Sequence, residues 1–393
     1  MADPGLVRRS AALLAGAQVA LWGAIGVFAT FGPIATRQLS GRTGGAAVLF
    51  GLYYLGAAAG AVSAGRLMDR AGRRPGLAAG YVAVILSGAL AALGVAAGSG
   101  TLLLTSGLLL GAGAGAALLG RGAVADLYPP ERRGRAVGLL VLAGTAGAVG
   151  GPPLASAVHA AWGLLWAPFL LVPALGAVAL VLVLALRPDP RDLAFDPAGG
   201  PRRRPVQVLR ARRAVAAVAT IGIAQIVMVT FMSVIPVVVH EHGASEVTVS
   251  LVVSLHLGGM FIFSRSIGAA LDRWGRTPGL LGGVVLSALG VGLTLVDRGT
   301  LVAGFGLFLI GVGWSAAYVA STAVVSDLAT PAERAGALGL ADLIAAVAAG
   351  LGVLAGAAVL EGAGFPTLAI AALVALAVPA ALLRPAWRPA PAP

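Results

Sequence analysis

Apolar residues run through this chain in long blocks, and polar residues gather between them. The blocks fall near residues 11–35, 45–67, 76–98, 101–124, 135–158, 163–186, 214–239, 247–269, 278–297, 301–325, 335–359 and 364–384. A helix needs about 20 apolar residues to cross the hydrocarbon of a bilayer, and each block reaches that length. Only helices and closed barrels satisfy their own backbone in lipid, and the strict polar–apolar alternation of a barrel strand is absent. The pattern predicts an all-α membrane protein with twelve transmembrane helices. The first block follows Arg8 and Arg9, as the core of a cleaved leader would, but its length is that of a spanning helix.

Composition supports a lipid solvent. Hydrophobic residues make up 59% of the 393 and charged residues 11%, against about 25% charged in a soluble domain. The 58 glycines would weaken helices in water, whereas in lipid small residues let helices approach closely. The absence of cysteine excludes disulfides and thiolate metal sites. A net charge of +12, carried by arginine with no lysine, invites a nucleic-acid reading, and the placement of the arginines removes it. They fall in alternate loops, and only Arg37, Arg42 and Arg298 lie in the loops of the other side. A nucleic-acid-binding face would not be divided among alternate loops. Basic loops stay in the cytoplasm, so both termini are expected there, in a multi-pass protein of a bacterial inner membrane.

Residues 187–213 differ in composition. Pro188, Pro190, Pro197, Pro201 and Pro205 stand among many charges, the mark of a linker. It divides a six-helix bundle over 1–186 from another over 214–384, and residues 385–393 read as a disordered cytoplasmic tail. The two halves repeat one another. Residues 65–80 match 268–283 at nine of sixteen positions, among them Gly65/Gly268, Asp69/Asp272, Arg70/Arg273, Gly72/Gly275 and Arg73/Arg276. Residues 126–139 match 327–340 through Asp126/Asp327, Pro130/Pro331, Arg133/Arg334 and Gly138/Gly339, among others. Both matches fall on turns of the same side, so the halves run parallel, related by an axis along the membrane normal.

The run Gly65-Arg-Leu-Met-Asp69-Arg70-Ala-Gly72-Arg73-Arg74 resembles the signature loop between helices 2 and 3 of the major facilitator superfamily. The segment from Gly268 to Arg276 stands where that family carries a second copy. The resemblance extends over the whole chain through helix number, linker and repeat. It implies two pseudo-symmetric six-helix bundles that move a small molecule by alternating access. It also implies a gating role for Gly65, Asp69, Arg70, Gly72, Arg73 and Arg74 and for Gly268, Asp272, Arg273, Gly275 and Arg276. In the family the Asp69 position meets the N-terminal end of the eleventh helix, where the dipole favours an anion, and holds the outward-facing state. In the fifth segment, Gly147, Gly151 and Pro152 resemble the GxxxGP helix-5 motif of the family's drug:proton antiporters and imply a hinge there. The chain departs from that motif at Ala155 and Ser156, and it has Ser106 near the position where proton-coupled exporters often carry an arginine.

Ionisable groups deep in a span are functional candidates by default. His256, near the middle of the eighth segment, titrates near neutral pH as a free imidazole and is one candidate for carrying a coupled proton. The alternative is a neutral histidine bonded between helices. Asp342, about two turns into the eleventh segment, is the other candidate. It can instead pair with Arg265 or Arg121 and lock the basic end. The resemblance puts segments 1, 4, 7 and 10 around the pathway, which nominates Gln18, Trp22, Gln225, Met228, Trp314 and Tyr318 as cavity residues. Aromatic and amide groups with few charges suit an amphipathic, weakly charged ligand.

His240-Glu241-His242 has too few ligands for a metal site. Without lysine there is no nucleotide-binding loop, and no nucleophile triad or cofactor motif is present. The expectation is therefore a non-enzymatic, monomeric secondary transporter in the lipid bilayer. Its partners are a small molecule and protons, and proton-coupled efflux is the first reading. An uncoupled facilitator or metabolite importer is the alternative, since mid-membrane acids are missing from the first half. A non-transporting receptor on the same fold is the third.

Overall fold

The computed structural model describes residues 3–42, 44–128, 130–190, 192–193, 203–296, 299–329 and 333–383. The side chains of Asp69, Asp272, Arg132, Arg133, Arg135 and Arg334 lie outside that description. The described residues form helices throughout. The first half holds α1 (Pro4–Ser40), α2 (Gly45–Ala71), α3 (Arg73–Ala96), α4 (Gly100–Leu118), α5 (Gly120–Asp126), α6 (Pro130–Trp162) and α7 (Leu171–Leu184). The short α8 (Pro205–Leu209) precedes the second half, which comprises α9 (Arg212–Glu241), α10 (Glu246–Phe261), α11 (Ser264–Trp274), α12 (Arg276–Val296), α13 (Thr300–Leu328) and α14 (Arg334–Leu383).

Among the described residues, eleven helical stretches are long and apolar enough to cross a membrane, where the hydrophobic pattern predicts twelve. The difference lies in α14, which contains both of the last two predicted segments. Its backbone leaves helical geometry at Gly364 (φ 80°, ψ 172°), a conformation that glycine reaches without steric cost. The stretch is thus two legs joined at a bend.

Two further predicted segments each remain one apolar stretch, Gly100–Val124 and Glu246–Leu271, with a local irregularity. In the fourth it falls at Leu119, and the guanidinium of Arg121 donates to the Leu118 carbonyl at 3.2 Å. In the eighth it follows Phe261, where the Ser264 hydroxyl donates to the Phe261 carbonyl at 2.7 Å. Such side-chain bonds compete with the helical ladder. Beyond that point α11 carries Ser264, Arg265 and Ser266, residues suited to an interface and not to hydrocarbon.

Each half has its own apolar core. One is built from Leu14, Leu21, Phe28, Tyr81, Leu103, Phe169 and their neighbours. The other centres on α9, which is buried along nearly all its length, and draws in Ala29, Ala47, Phe50 and Ala148 from the first half. Glycine sets the helix spacing in equivalent places. A methyl added at Gly80 would come 3.0 Å from the Gly113 carbonyl, and one at Gly283 would come 2.7 Å from the Gly313 carbonyl. The turns between the second and third helices of each half also coincide, with Gly72 at φ 99°, ψ 172° and Gly275 at φ 90°, ψ 171°. Arg73 then bridges to Asp126 at 2.8 Å, and Arg276 bridges to Asp327 at 3.2 Å. The sequence repeat is therefore a repeated device: a left-handed glycine turn followed by an arginine that ties two helices of its own half together.

The halves meet through α1 with α9, α2 with α14, and α6 with α10. At the face opposite the arginine-rich turns they are tied by side chains. Arg37 bonds Glu241 at 2.5 Å, and Arg42 pairs with Glu361. The Ser156 hydroxyl contacts Ser250 and donates to the Glu246 carbonyl at 3.1 Å, and Ser254 donates to the Val149 carbonyl at 2.9 Å. His159 stands 3.9 Å from Glu246.

Candidate functional site at the meeting of the halves

Arg121, in α5 just past the end of α4, reaches across the interface. Its guanidinium bonds the Asp342 carboxylate of α14 at 2.9 Å and the Tyr318 hydroxyl of α13. Of the two partners considered for Asp342, the structure supplies Arg121. The two side chains are 30% and 41% exposed.

An aromatic path leads inward from this pair. Tyr318 stacks on Trp314 (5.1 Å between centroids, 13° between planes), Trp314 meets Phe261 edge-on at 6.4 Å, and Phe261 meets Trp22 edge-on at 4.7 Å. Gln225 fixes the path to the other half. Its side-chain oxygen accepts from the Trp314 indole N–H, and its amide donates to the Tyr54 hydroxyl of α2 at 3.0 Å. A buried amide with both ends satisfied orients the groups around it and avoids the penalty of an unmade bond. Four of the six cavity candidates, Trp22, Gln225, Trp314 and Tyr318, are therefore brought into one chain of contacts. Gln18 lies beside Trp22 against α6, where a methyl added at Gly144 would come 2.5 Å from Trp22 and 3.4 Å from Gln18. Met228 is packed into the apolar core shared with Phe50 and Ala29.

Tyr54 and Phe261 were not among the residues nominated from sequence. A tyrosine pair, Tyr53-Tyr54, in the middle of an apolar block was the available signal, since each buried hydroxyl must find a partner. Nothing in the pattern around Phe261 distinguishes it from a packing phenylalanine.

His256 is placed elsewhere. It is fully buried inside the second half, with Nδ1 at 2.7 Å from the Leu307 carbonyl. A carbonyl only accepts, so Nδ1 carries the proton and the neutral ring presents Nε2 as an acceptor; that atom has no partner among the described residues. His256 also packs its carbonyl against Gly311 as Tyr53 packs its own against Gly111. This is a repeated packing position. His240 and His242 turn Nδ1 to the Ala244 and Val238 carbonyls at 3.2 and 2.7 Å, and Glu241 serves Arg37.

Gly144, Gly147 and Gly151 of the fifth predicted helix face α1. α6 runs unbroken through Pro152 and Pro153. A methyl at Gly151 would stand 2.5 Å from the Gly23 carbonyl, one at Gly147 would collide with the Val19 carbonyl, and one at Gly26 would stand 2.8 Å from Pro152. Gly147, Gly151 and Pro152 thus form a close-approach seam within the first half.

In the two repeated turns, Gly72 and Gly275 provide the positive-φ positions and Arg73 and Arg276 the ion pairs described above. Gly72 is buried and its neighbour Arg70 exposed; Arg273 and Gly275 are exposed. Gly65 has the Leu119 side chain in reach of an added methyl, at 3.9 Å, and Gly268 has open space. Arg74, with Arg73, donates its backbone N–H to Asp189 at 2.8 and 3.0 Å. The contacts expected of Asp69 and Asp272 fall on side chains outside the described residues.

Comparison with known proteins agrees with this architecture. The sequence profile of the Major Facilitator Superfamily matches residues 12–240 and again 219–393. The uncharacterized MFS-type transporter YdeG of Bacillus subtilis (strain 168) is 32% identical over 351 residues, covering 82% of this chain and 79% of its own. The riboflavin transporter RfnT of Brucella anthropi is 27% identical over 361 residues, covering 88% and 87%. Among solved structures, the nucleoside transporter NupG (D323A mutant) superposes with a TM-score of 0.76 at 16% identity, covering 98% of this chain and 100% of its own. Two matches to one family profile, a helical two-half fold and relatives aligned over most of their length lead to one conclusion: the chain belongs to the Major Facilitator Superfamily, as a multi-pass membrane transporter and not an enzyme.

Proposed function

We propose that this transporter carries a planar, hydrogen-bonding aromatic solute through the Trp22–Phe261–Trp314–Tyr318 path, and that proton exchange at Asp342 drives the step. The observation that carries the reading is the Arg121–Asp342–Tyr318 bridge between the halves, joined to a run of aromatic faces. Protonating Asp342 removes the charge that holds Arg121 and frees the basic end to open. Aromatic rings recognise flat solutes through offset and edge-on contacts, and Gln225 offers donors and acceptors at the same level. Two similar proteins are named for riboflavin and nucleoside transport, and both cargoes are flat heterocycles with polar substituents. Efflux against inward proton flow is the direction assigned, supported by the partial antiporter-like pattern at Gly147–Pro152. The arginine-rich turns are assigned to the cytoplasmic side of a bacterial inner membrane, with both termini there, on the charge bias of the loops. The protein is assigned as a monomer.

Reconstitution tests this. Purified protein in liposomes is given a pH gradient, and flux of riboflavin and of a nucleoside is followed together with lumenal pH. Uphill flux with matching proton movement is the expected result. Flux without proton movement overturns the coupling and leaves the facilitator reading. Asp342→Asn should keep downhill exchange and lose uphill transport.

A further inference from the structure

The linker enters the second half through a fixed contact. Arg203 meets Glu333, which stands just before α14, across 130 residues of sequence. The Glu333 side chain is 2% exposed, and a buried charge has to be paired. Arg203 meets it at three points. Its backbone N–H and its Nε donate to Oε1 at 2.8 and 3.0 Å, and Nη2 donates to Oε2 at 2.8 Å. Nη2 also donates at 2.9 Å to the carbonyl of Leu328, the last residue of α13. The Glu333 carbonyl in turn accepts the Ala337 N–H of α14 at 3.0 Å. One guanidinium thus joins the end of α13 to the first turn of α14, and its charge suits the negative dipole end of α13.

The next residues of the linker extend this contact. Val208 and Leu209 of α8 are buried in one cluster with Val325 of α13 and Ala337 and Ala341 of α14, and Leu338 packs against them. Val325, Leu338 and Ala341 also line the cleft that holds Tyr318 and Asp342. The linker helix and that cleft therefore share a wall. At about 1.5 Å per residue, Asp342 lies about 13 Å along the helix from Glu333, and Tyr318 about 15 Å from Leu328. Close-packed side chains pass a displacement on to their neighbours. What holds the ends of α13 and α14 also sets where Tyr318 and Asp342 stand.

On the reading of Asp342 as the releasable partner of Arg121, we propose that Arg203 and α8 form a strap that positions Tyr318 and Asp342 for that partner. Arg203 is a positioning residue, acting through α13 and α14. With the strap in place the two side chains are presented to Arg121 together. With it undone, the first turns of α14 shift and the bridge loosens although its own three side chains are unchanged. The linker end is then a control point for the meeting of the halves.

The test uses the full-length protein in vesicles with its arginine-rich face outward. The chain has no cysteine, so a single Thr322→Cys reporter in the Asp342 cleft reads opening through its labelling by an impermeant maleimide. Arg203→Gln should speed labelling ~2- to 5-fold, the upper bound being the loss of one exposed charge pair. Asp342→Asn should speed it ~5-fold. Adding Arg203→Gln to Asp342→Asn should change the rate no further, because a strap that acts through the bridge then has nothing to act on. Leu209→Ala keeps the Arg203–Glu333 pair and should act in the same direction as Arg203→Gln, so the test survives if that variant does not fold. Gly88→Ala, whose methyl would collide with Pro173 and Val172, should lower the unfolding temperature by overpacking and leave the labelling rate unchanged. Parent-like labelling in Arg203→Gln and Leu209→Ala beside faster labelling in Asp342→Asn would overturn the strap and leave the bridge standing. Parent-like labelling in all three would overturn the bridge and the strap with it. An effect of Arg203→Gln that adds in full to that of Asp342→Asn, or that Gly88→Ala reproduces, would overturn the strap by showing a general loosening.

Discussion

Removing the charge of Asp342 should part the halves at the arginine-rich face. Asp342→Asn keeps the shape of the side chain and leaves Tyr318 to hold Arg121, so the loss is close to purely electrostatic. Two unit charges about 4 Å apart attract by ~4 kcal/mol at an effective dielectric constant of about 20. The pair is 30% and 41% exposed, so solvent screens it and the raw figure must be reduced. Exposed pairs are worth about 1 kcal/mol or less, and a pair with one neutral hydrogen-bond partner retained belongs near that value. About 1 kcal/mol is a ~5-fold change in an equilibrium ratio.

The natural absence of cysteine provides the assay, because a single Thr322→Cys reporter can be placed in the cleft beside Asp342 without background. Thr322 lines that cleft together with Tyr318 and Asp342. Labelling by a membrane-impermeant maleimide added at the arginine-rich side should proceed ~5-fold faster in Asp342→Asn than in the parent, on the population argument above. Arg121→Gln should give a similar increase, and the double variant should add little to either single one, as coupled partners do. An unchanged rate in Asp342→Asn, or fully additive effects in the double variant, would refute the bridge as the gate.

Other expectations follow from the same contacts. Gly147→Ala should lower stability by about 1–3 kcal/mol through overpacking against α1, whereas Gly150→Ala, which meets open space, should leave the unfolding temperature unchanged. Asp189→Ala should cost about 0.5–2 kcal/mol as a lost helix cap, read by denaturant or thermal unfolding. Gln225→Leu should weaken solute binding about tenfold, read by tryptophan quenching, since an orphaned donor or acceptor costs about 1–3 kcal/mol. His256→Gln should retain uphill transport in liposomes while lowering the unfolding temperature, the outcome of a packing role; loss of uphill transport with an unchanged unfolding temperature would contradict it.

The sequence makes different parts of this molecule legible to different degrees. Spans could be read because lipid leaves the backbone few choices, and the boundary read between the last two falls at the Gly364 bend. The turns at Gly72 and Gly275 could be read because a repeated glycine before a repeated arginine is a local pattern. The partner of Asp342 could be narrowed to two arginines but not chosen, since the choice depends on which helices of the two halves come together, and that is not a local pattern. Tyr54, Phe261 and Asp189 act through contacts with residues far away in the chain, and no local spacing announces such contacts.

Comparison of the halves separates scaffold from mechanism. Gly72 and Gly275, Arg73 and Arg276, Asp126 and Asp327, and Gly80 and Gly283 occupy matching places and make matching contacts. They hold each bundle together, and each half needs them equally. Gly111 and Gly311 fix the register of the fourth and tenth predicted helices, since each packs on the carbonyl of a matching residue, Tyr53 or His256. In that register Trp314 stands where the first half has Ala114, and Tyr318 where it has Leu118. Asp342 answers to Val141, and Arg121 to Thr322, in the register of the Asp126/Asp327 turn. The groups that meet between the halves are thus those the repeat does not duplicate. A symmetric pair of bundles supplies two equivalent rigid bodies; a bridge that one proton can release requires an arginine on one and a carboxylate on the other. His256 repeats only the backbone packing that Tyr53 makes in the first half, whereas Asp342 is a member of the bridge between the halves, and for that reason the proton site proposed is Asp342.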